Sequence, residues 1–180
     1  MSGQQSTDLS GTAIIVMGVC GAGKTSLAGK LSETLGFPMV EADDFHSDSN
    51  RAKMAKGIGL TDEDRMPWLA AVTSAAREKT ANANGVIIAC SALRKVYRDV
   101  FRAGFNDCMF IHLTGSREIL AERLTHRTGH FVDAGLLDSQ LKTLEPPDRD
   151  ERYLEIDVSL PPEKAVEEAL DGVRAQSINA

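Results

Sequence analysis

The chain has 180 residues, 42 % of them hydrophobic and 26 % charged, with a net charge of −6. That length suits a single domain with a sizeable core. The acidic balance argues against a nucleic-acid-binding surface, which needs a basic excess, and no apolar run approaches the ~18 residues of a membrane span.

Residues 1–10 are polar and lack the basic start and apolar centre of a signal peptide, so they read as a disordered tail ahead of one domain over 11–178. Ala13 to Met17 is a short apolar run suited to a buried strand. Residues 18–25, Gly-Val-Cys-Gly-Ala-Gly-Lys-Thr, then match the phosphate-loop pattern G-x-x-x-x-G-K-[ST] at every fixed position. The glycines let the backbone turn sharply and aim its N–H groups at phosphate oxygens. A helix over Lys24 to Leu35 adds about half a positive charge at its N-terminus. Gly18, Cys20, Gly21, Ala22, Gly23, Lys24, Thr25 and Ser26 therefore form a candidate nucleotide site. Lys24 is placed to reach the β- and γ-phosphates, and Thr25 to hold Mg²⁺.

Gly36 and Pro38 end this helix. A second strand over Phe37 to Ala42 leads into Asp43-Asp44. A short helix follows at 48–57, closed by Gly57. Thr61 caps a long helix whose opening Asp62-Glu63-Asp64 suits the dipole's positive end. The third strand, Val86 to Cys90, is followed by a helix over 95–103. A fourth strand spans Cys108 to Leu113, and a helix capped by Ser116 runs to about Thr128. The glycine-broken stretch 128–135 is a candidate mobile segment. A helix at 136–144, a strand at Tyr153 to Val158 and a last helix from Pro162 complete the chain. The alternation predicts an α/β fold with a mostly parallel sheet. Cys20, Cys90 and Cys108 are dispersed, with no CxxC pair, which suits a reducing cytoplasm rather than disulfides or zinc. Cys20 sits at a helix N-terminus, where a thiol's pKa can fall; a small residue fitting a tight loop is the simpler reading.

A phosphate loop alone does not separate a kinase from a switch or a motor. No Asn-Lys-x-Asp guanine-reading motif is present, and the third strand ends in Cys90-Ser91 rather than in an acid. The second strand does end in acids. In a doubly wound sheet that end faces the ligand, so Asp43 can accept a substrate hydroxyl proton or hold a metal through water. Asn50 and Lys53 share a helix face beside it, with His46 and Arg51 nearby. Arg94 and Arg98 lie four apart, as do Arg123 and Arg127. Arginines in a lid can neutralise a transferring phosphoryl group; surface pairing with Glu118 and Glu122 is the plainer alternative.

In order along the chain stand Met17-Gly-Val-Cys-Gly-Ala-Gly-Lys-Thr25, Asp43-Asp-Phe-His46, Asn50-Arg-Ala-Lys-Met54, Leu60-Thr-Asp-Glu-Asp-Arg-Met-Pro-Trp68, Ala89-Cys-Ser-Ala-Leu-Arg94, Tyr97-Arg-Asp99, Gly129-His-Phe131 and Leu136-Leu-Asp-Ser-Gln-Leu-Lys-Thr-Leu-Glu-Pro146. With these segments the chain resembles the gluconokinase family of small phosphate-loop kinases, related in fold to shikimate kinase. The resemblance implies a three-layer fold with a five-stranded parallel sheet in the order 2-3-1-4-5, a substrate-binding segment around 44–82 and a lid around 123–135. It implies ATP-dependent phosphorylation of D-gluconate at its 6-hydroxyl, feeding the pentose phosphate pathway, with Mg²⁺ as cofactor. It further implies a homodimer, while the charge and the lack of a long apolar run predict no nucleic-acid or membrane partner. Carried over, Lys24 and Asp43 are catalytic, and His46, Lys53, Arg65, Trp68 and Arg94 join Asp43 around gluconate. Arg123 and Arg127 fall on the ATP and lid side. Three positions depart from the family pattern: Glu41 stands where Asp is common, Ser47 where Pro is common, and Thr128 where Lys is common. A kinase for shikimate or a nucleoside monophosphate, and a nucleotide-binding switch with no acceptor, remain alternatives.

Overall fold

A computed structural model describes residues 11–126 and 134–177. Among them, β1 (Thr12–Met17) is the centre of a five-stranded sheet. β3 (Gly85–Ala89) and β4 (Asp107–Thr114) flank it, and β2 (Met39–Glu41) and β5 (Tyr153–Asp157) form the edges. Every pairing is parallel and the order is β2-β3-β1-β4-β5, as the resemblance implied. A central parallel strand is covered on both faces, which is why all six residues of β1 are buried.

Strand alternation divides the core in two. Ile14 and Val16, with Ile87 and Ile111, face one side, against apolar residues of α1 (Lys24–Leu35) and α7 (Pro162–Ser177). Ala13, Ile15 and Met17, with Ile88 and Phe110, face α3 (Asp62–Thr80) and α4 (Lys95–Gly104). The remaining helices are α2 (Asp48–Ala55), α5 (Arg117–Thr125) and α6 (Ala134–Thr143). The pairings Val16↔Ala89 and Met17↔His112 bring the strands' carboxyl ends to one edge. The phosphate loop and the acids after β2 emerge there.

β2 is shorter than the sequence suggests. It pairs only with β3, and from Ala42 to Phe45 the chain turns into a 3-10 helix. The carbonyls beyond Glu41 find partners elsewhere. Trp68 Nε1 donates to Ala42 O at 2.7 Å, and Arg51 donates to the carbonyls of Asp43, Asp44 and His46 at 3.3, 2.9 and 3.2 Å. The buried Ala42 carbonyl needs such a partner, and these bonds direct the chain away from the ladder.

Local capping matches the residue types. Gly36 takes a φ of 68° after α1, a conformation glycine reaches without strain. Ser47 caps α2 by accepting from Asn50 N at 3.1 Å. Thr61 and Asp64 form a reciprocal capping box on α3.

Candidate active site

The loop between β1 and α1 has positive φ at Gly18, Gly21 and Gly23, of 143°, 81° and 92°. Gly21 is also tightly enclosed: a Cβ there would lie 2.8 Å from Leu124 Cγ. Ala22 N bonds Val19 O at 3.3 Å, Gly18 N bonds Ser91 O at 3.3 Å, and Cys20 N donates to Gln140 Oε1 at 2.6 Å. Lys24 curls back to donate to Val19 O at 3.0 Å. Burial lowers the pKa of its ammonium group, against the pull of Asp43, Cys90, Cys20 and Glu41. That set of neighbours brings the loop lysine and the acids after β2 into one electrostatic site.

Thr25 Oγ1 donates to Glu41 Oε2 at 2.7 Å. Burial raises the pKa of Glu41, with Asp43 and Asp44 adding repulsion and the Thr25 bond opposing. Asp43 stands at the start of the 3-10 turn with its side chain 82 % exposed. His46 Nε2 lies 3.8 Å from Asp43 Oδ1. The imidazole stacks on Trp68 at 4.1 Å with an interplanar angle of 18°. Burial lowers the His46 pKa, against the pull of Asp43, which favours the neutral ring.

The cations predicted around the acceptor divide sharply. Lys53 Nζ is held by both Asp64 oxygens at 2.7 and 2.8 Å, and Asn50, which is buried, donates to Asp64 O at 3.1 Å. The face that reads as substrate-binding is thus occupied in docking α2 onto α3. Arg94 is paired with Asp62 at 2.7 Å and with Glu145 at 3.3 Å. Arg65 donates to Leu60 O at 3.2 Å and lies over the Tyr97 ring at 5.4 Å. Among the described residues it has no carboxylate partner. Trp68 is 5 % exposed, so it supports the His46 ring and the Ala42 carbonyl more than it lines an open surface. Arg98, which reads as a second cation beside Arg94, is fully buried in a forked pair with Glu151. It holds the fold together and does not face the site.

On the other side of the loop, a cleft of about 590 Å³ opens between α1 and α7. Leu27, Leu160 and Val166 supply apolar walls, and Gly21 and Gly23 supply backbone. Arg123 reaches across it to bond Val158 O, and its guanidinium lies close to Gly23. Ser26 lines the same cleft. An apolar slot running into a phosphate loop suits a purine base and its phosphates. Arg127, Thr128 and most of the lid at 123–135 lie outside the described residues.

Residues 14–140 match the model of a family described as an AAA domain. A probable gluconokinase of Xenopus tropicalis is 41 % identical over 81 % of this chain and 84 % of its own length. A gluconokinase of Arabidopsis thaliana is 40 % identical over 96 % of this chain and 97 % of its own. The chain belongs to the gluconokinase family. A crystal structure of a gluconokinase from Sinorhizobium meliloti 1021 superposes with a TM-score of 0.85 at 43 % identity, covering 94 % of this chain and 95 % of the other. Gluconokinases being phosphate-loop kinases, the family implies use of ATP.

Two contacts at the site escape the sequence reading. Glu41 reads there as one of the acids ending the second strand and as a departure from the family's Asp, but its bond to Thr25 is supplied only by the fold. Gln140 sits 120 residues from the loop amide it meets, and no local signal announces such a contact.

Proposed function

We propose that this protein is a gluconokinase, which transfers the γ-phosphoryl of ATP to the 6-hydroxyl of D-gluconate. The observation that carries the reading is the bond from Thr25, next to Lys24 on the phosphate loop, to Glu41 at the carboxyl edge of the sheet, two residues before Asp43, in a chain that is about 40 % identical to gluconokinases over nearly its whole length. The nucleotide would occupy the 590 Å³ cleft, with its phosphates on the loop amides and Lys24. Arg123 is placed to meet the phosphates from the α5 side. Asp43, exposed and anionic, orients the acceptor hydroxyl and takes its proton as the new O–P bond forms.

Thr25 and Glu41 fit Mg²⁺: both offer hard oxygen donors, and a carboxylate strained by burial and by two acidic neighbours gains from a cation. When bound, Mg²⁺ supplies neutralisation of the phosphate oxygens. The gluconate carboxylate is assigned to Arg65, because Lys53 and Arg94 already hold carboxylates of this chain. A second hollow of about 350 Å³, between α2 and α3, is bordered by Glu63 and by Asp64, which is paired with Lys53; among the described residues it offers an anion no unpaired cation, which favours the His46 and Arg65 side. The segment 44–82 then serves as the acceptor-binding unit and 123–135 as the lid within one domain. The resemblance supports a homodimer, and the net charge of −6 speaks against a nucleic-acid partner. Cys20, Cys90 and Cys108 form no disulfide, which suits a cytoplasmic setting.

Phosphate transfer from MgATP to a panel of gluconate, shikimate and nucleoside monophosphates tests this. Gluconate should give the highest kcat/KM. Equal turnover with shikimate would remove gluconate as the substrate, and ATP binding without transfer to any acceptor would favour a switch.

A further inference from the structure

The segment 136–146 carries one side chain that the proposed chemistry does not use. Gln140 lies on α6 and accepts the Cys20 N–H at 2.6 Å, linking α6 to the middle of the phosphate loop. Its position is set from several directions. Leu137, one turn earlier on the same face, is fully buried in the core cluster that includes Val19, Leu120 and Leu124. Asp138 takes a forked bond from Arg117 of α5 at 2.6 and 2.9 Å. Beyond the helix, Glu145 N donates to Leu93 O at 2.8 Å, and the Glu145 carboxylate accepts from Lys95 N at 2.7 Å and from Arg94. Gln140 is therefore presented by a helix anchored to α5 and to the start of α4.

The loop it meets is the opposite case. Gly18, Gly21 and Gly23 all hold positive φ, and glycine-rich backbone loses the most conformational freedom on ordering. A site built on such a loop gains affinity from any contact that orders it before the ligand arrives. We propose that Gln140 is a positioning residue for the phosphate loop: its carboxamide oxygen holds Cys20 N–H and so keeps the loop amides in the phosphate-binding arrangement. This rests on the reading that the loop holds ATP's phosphates.

The test is calorimetric titration of the full chain and its variants with MgADP and with adenosine. Gln140→Met keeps length and packing but has no oxygen acceptor. Losing one hydrogen bond of ordinary strength should weaken MgADP about five- to tenfold, raise the KM for ATP by a similar factor, and leave adenosine affinity and the KM for gluconate unchanged. Gln140→Glu keeps an acceptor but sets a negative charge beside the phosphates. It should weaken MgADP more than Gln140→Met does, in a manner relieved by salt, again sparing adenosine. Unchanged MgADP affinity in Gln140→Met would overturn the proposal. So would equal losses for MgADP and adenosine with a lowered Tm, which would mark a purely structural side chain. Wild-type affinity in Gln140→Glu would place the carboxamide away from the phosphates and likewise overturn it. Failure of the wild type to bind MgADP would instead refute the nucleotide reading itself.

Discussion

Arg98→Met should be among the most destabilising substitutions in the chain. The Arg98 side chain is wholly buried, and so is that of Glu151. Their fork measures 2.6 and 2.9 Å, and Arg98 Nη1 also serves the carbonyls of Ala92, Leu93 and Glu145 at 3.1, 3.3 and 2.9 Å. Burial alone would raise the Glu151 pKa, but the Arg98 bonds and the Asp148 N–H outweigh it and hold the group below the usual carboxylate range. Methionine matches much of the side-chain volume, leaves an uncompensated buried carboxylate and removes the Nη1 bonds to three carbonyls, of which Leu93 O keeps the Glu145 N–H. Breaking a buried pair on one side costs about 3–5 kcal/mol, against a total stability of about 5–15 kcal/mol for a typical domain. In a chain of this size that is a fall in Tm of roughly 6–20 °C, at about 2–4 °C per kcal/mol. Urea unfolding, with the m-value monitored, and thermal melts would measure it. Adding Glu151→Leu to Arg98→Met removes the buried charge and should recover much of the loss. A single-variant loss below about 1 kcal/mol, the level of an exposed pair, or a double variant as weak as the sum of the two singles, would refute this account.

Asp43→Asn should lower kcat by about 10²–10⁴-fold, the usual span for a general base, while ATP affinity stays close to wild type. Because the Asp43 side chain is 82 % exposed, the variant's stability should stay within about 0.5 kcal/mol of wild type; steady-state kinetics and melting separate the two. Arg65→Met should raise the KM for gluconate at least tenfold, the loss of one charge-assisted bond being about 1.5–3 kcal/mol; if Lys53→Met raised it more while leaving Tm unchanged, the assignment of the carboxylate to Arg65 would be wrong. His112 is buried in β4, and burial lowers its pKa despite Glu155 at 3.7 Å, with Arg98 adding repulsion. The unfolded chain then binds a proton near pH 6.5 that the folded one refuses, so stability is full above that pH and falls as the pH drops toward the lowered folded value. Melting curves from pH 7.5 to 5 should show a shallower decline for His112→Leu than for wild type, and parallel curves would discount His112.

Much of the fold was legible in residue order. The apolar run before Gly18, the alternation of strand and helix signals and the caps at Gly36, Ser116 and Thr61 each rest on local chemistry, and each stands in the structure. β2 reads too long because its propensity extends past Glu41, whereas Trp68 and Arg51 withdraw the next carbonyls from the ladder. The site was legible where chemistry is carried by a contiguous motif. Glycines that need positive φ, a lysine and a hydroxyl at a helix start must be neighbours in sequence, because the loop's own backbone forms the anion seat.

What residue order could not decide is which charges are spent. Lys53, Arg65, Arg94 and Arg98 look alike along the chain. Their roles diverge because Asp64, Asp62, Glu145 and Glu151 arrive from elsewhere: Asp64 meets Lys53, Asp62 and Glu145 share Arg94, and Glu151 is buried with Arg98. Arg65 is left with backbone and ring contacts. The Gln140 tie to Cys20 spans 120 residues for the same reason. A motif is read from neighbours along the chain, but whether a charge or an amide is available depends on partners that only folding brings within hydrogen-bond distance.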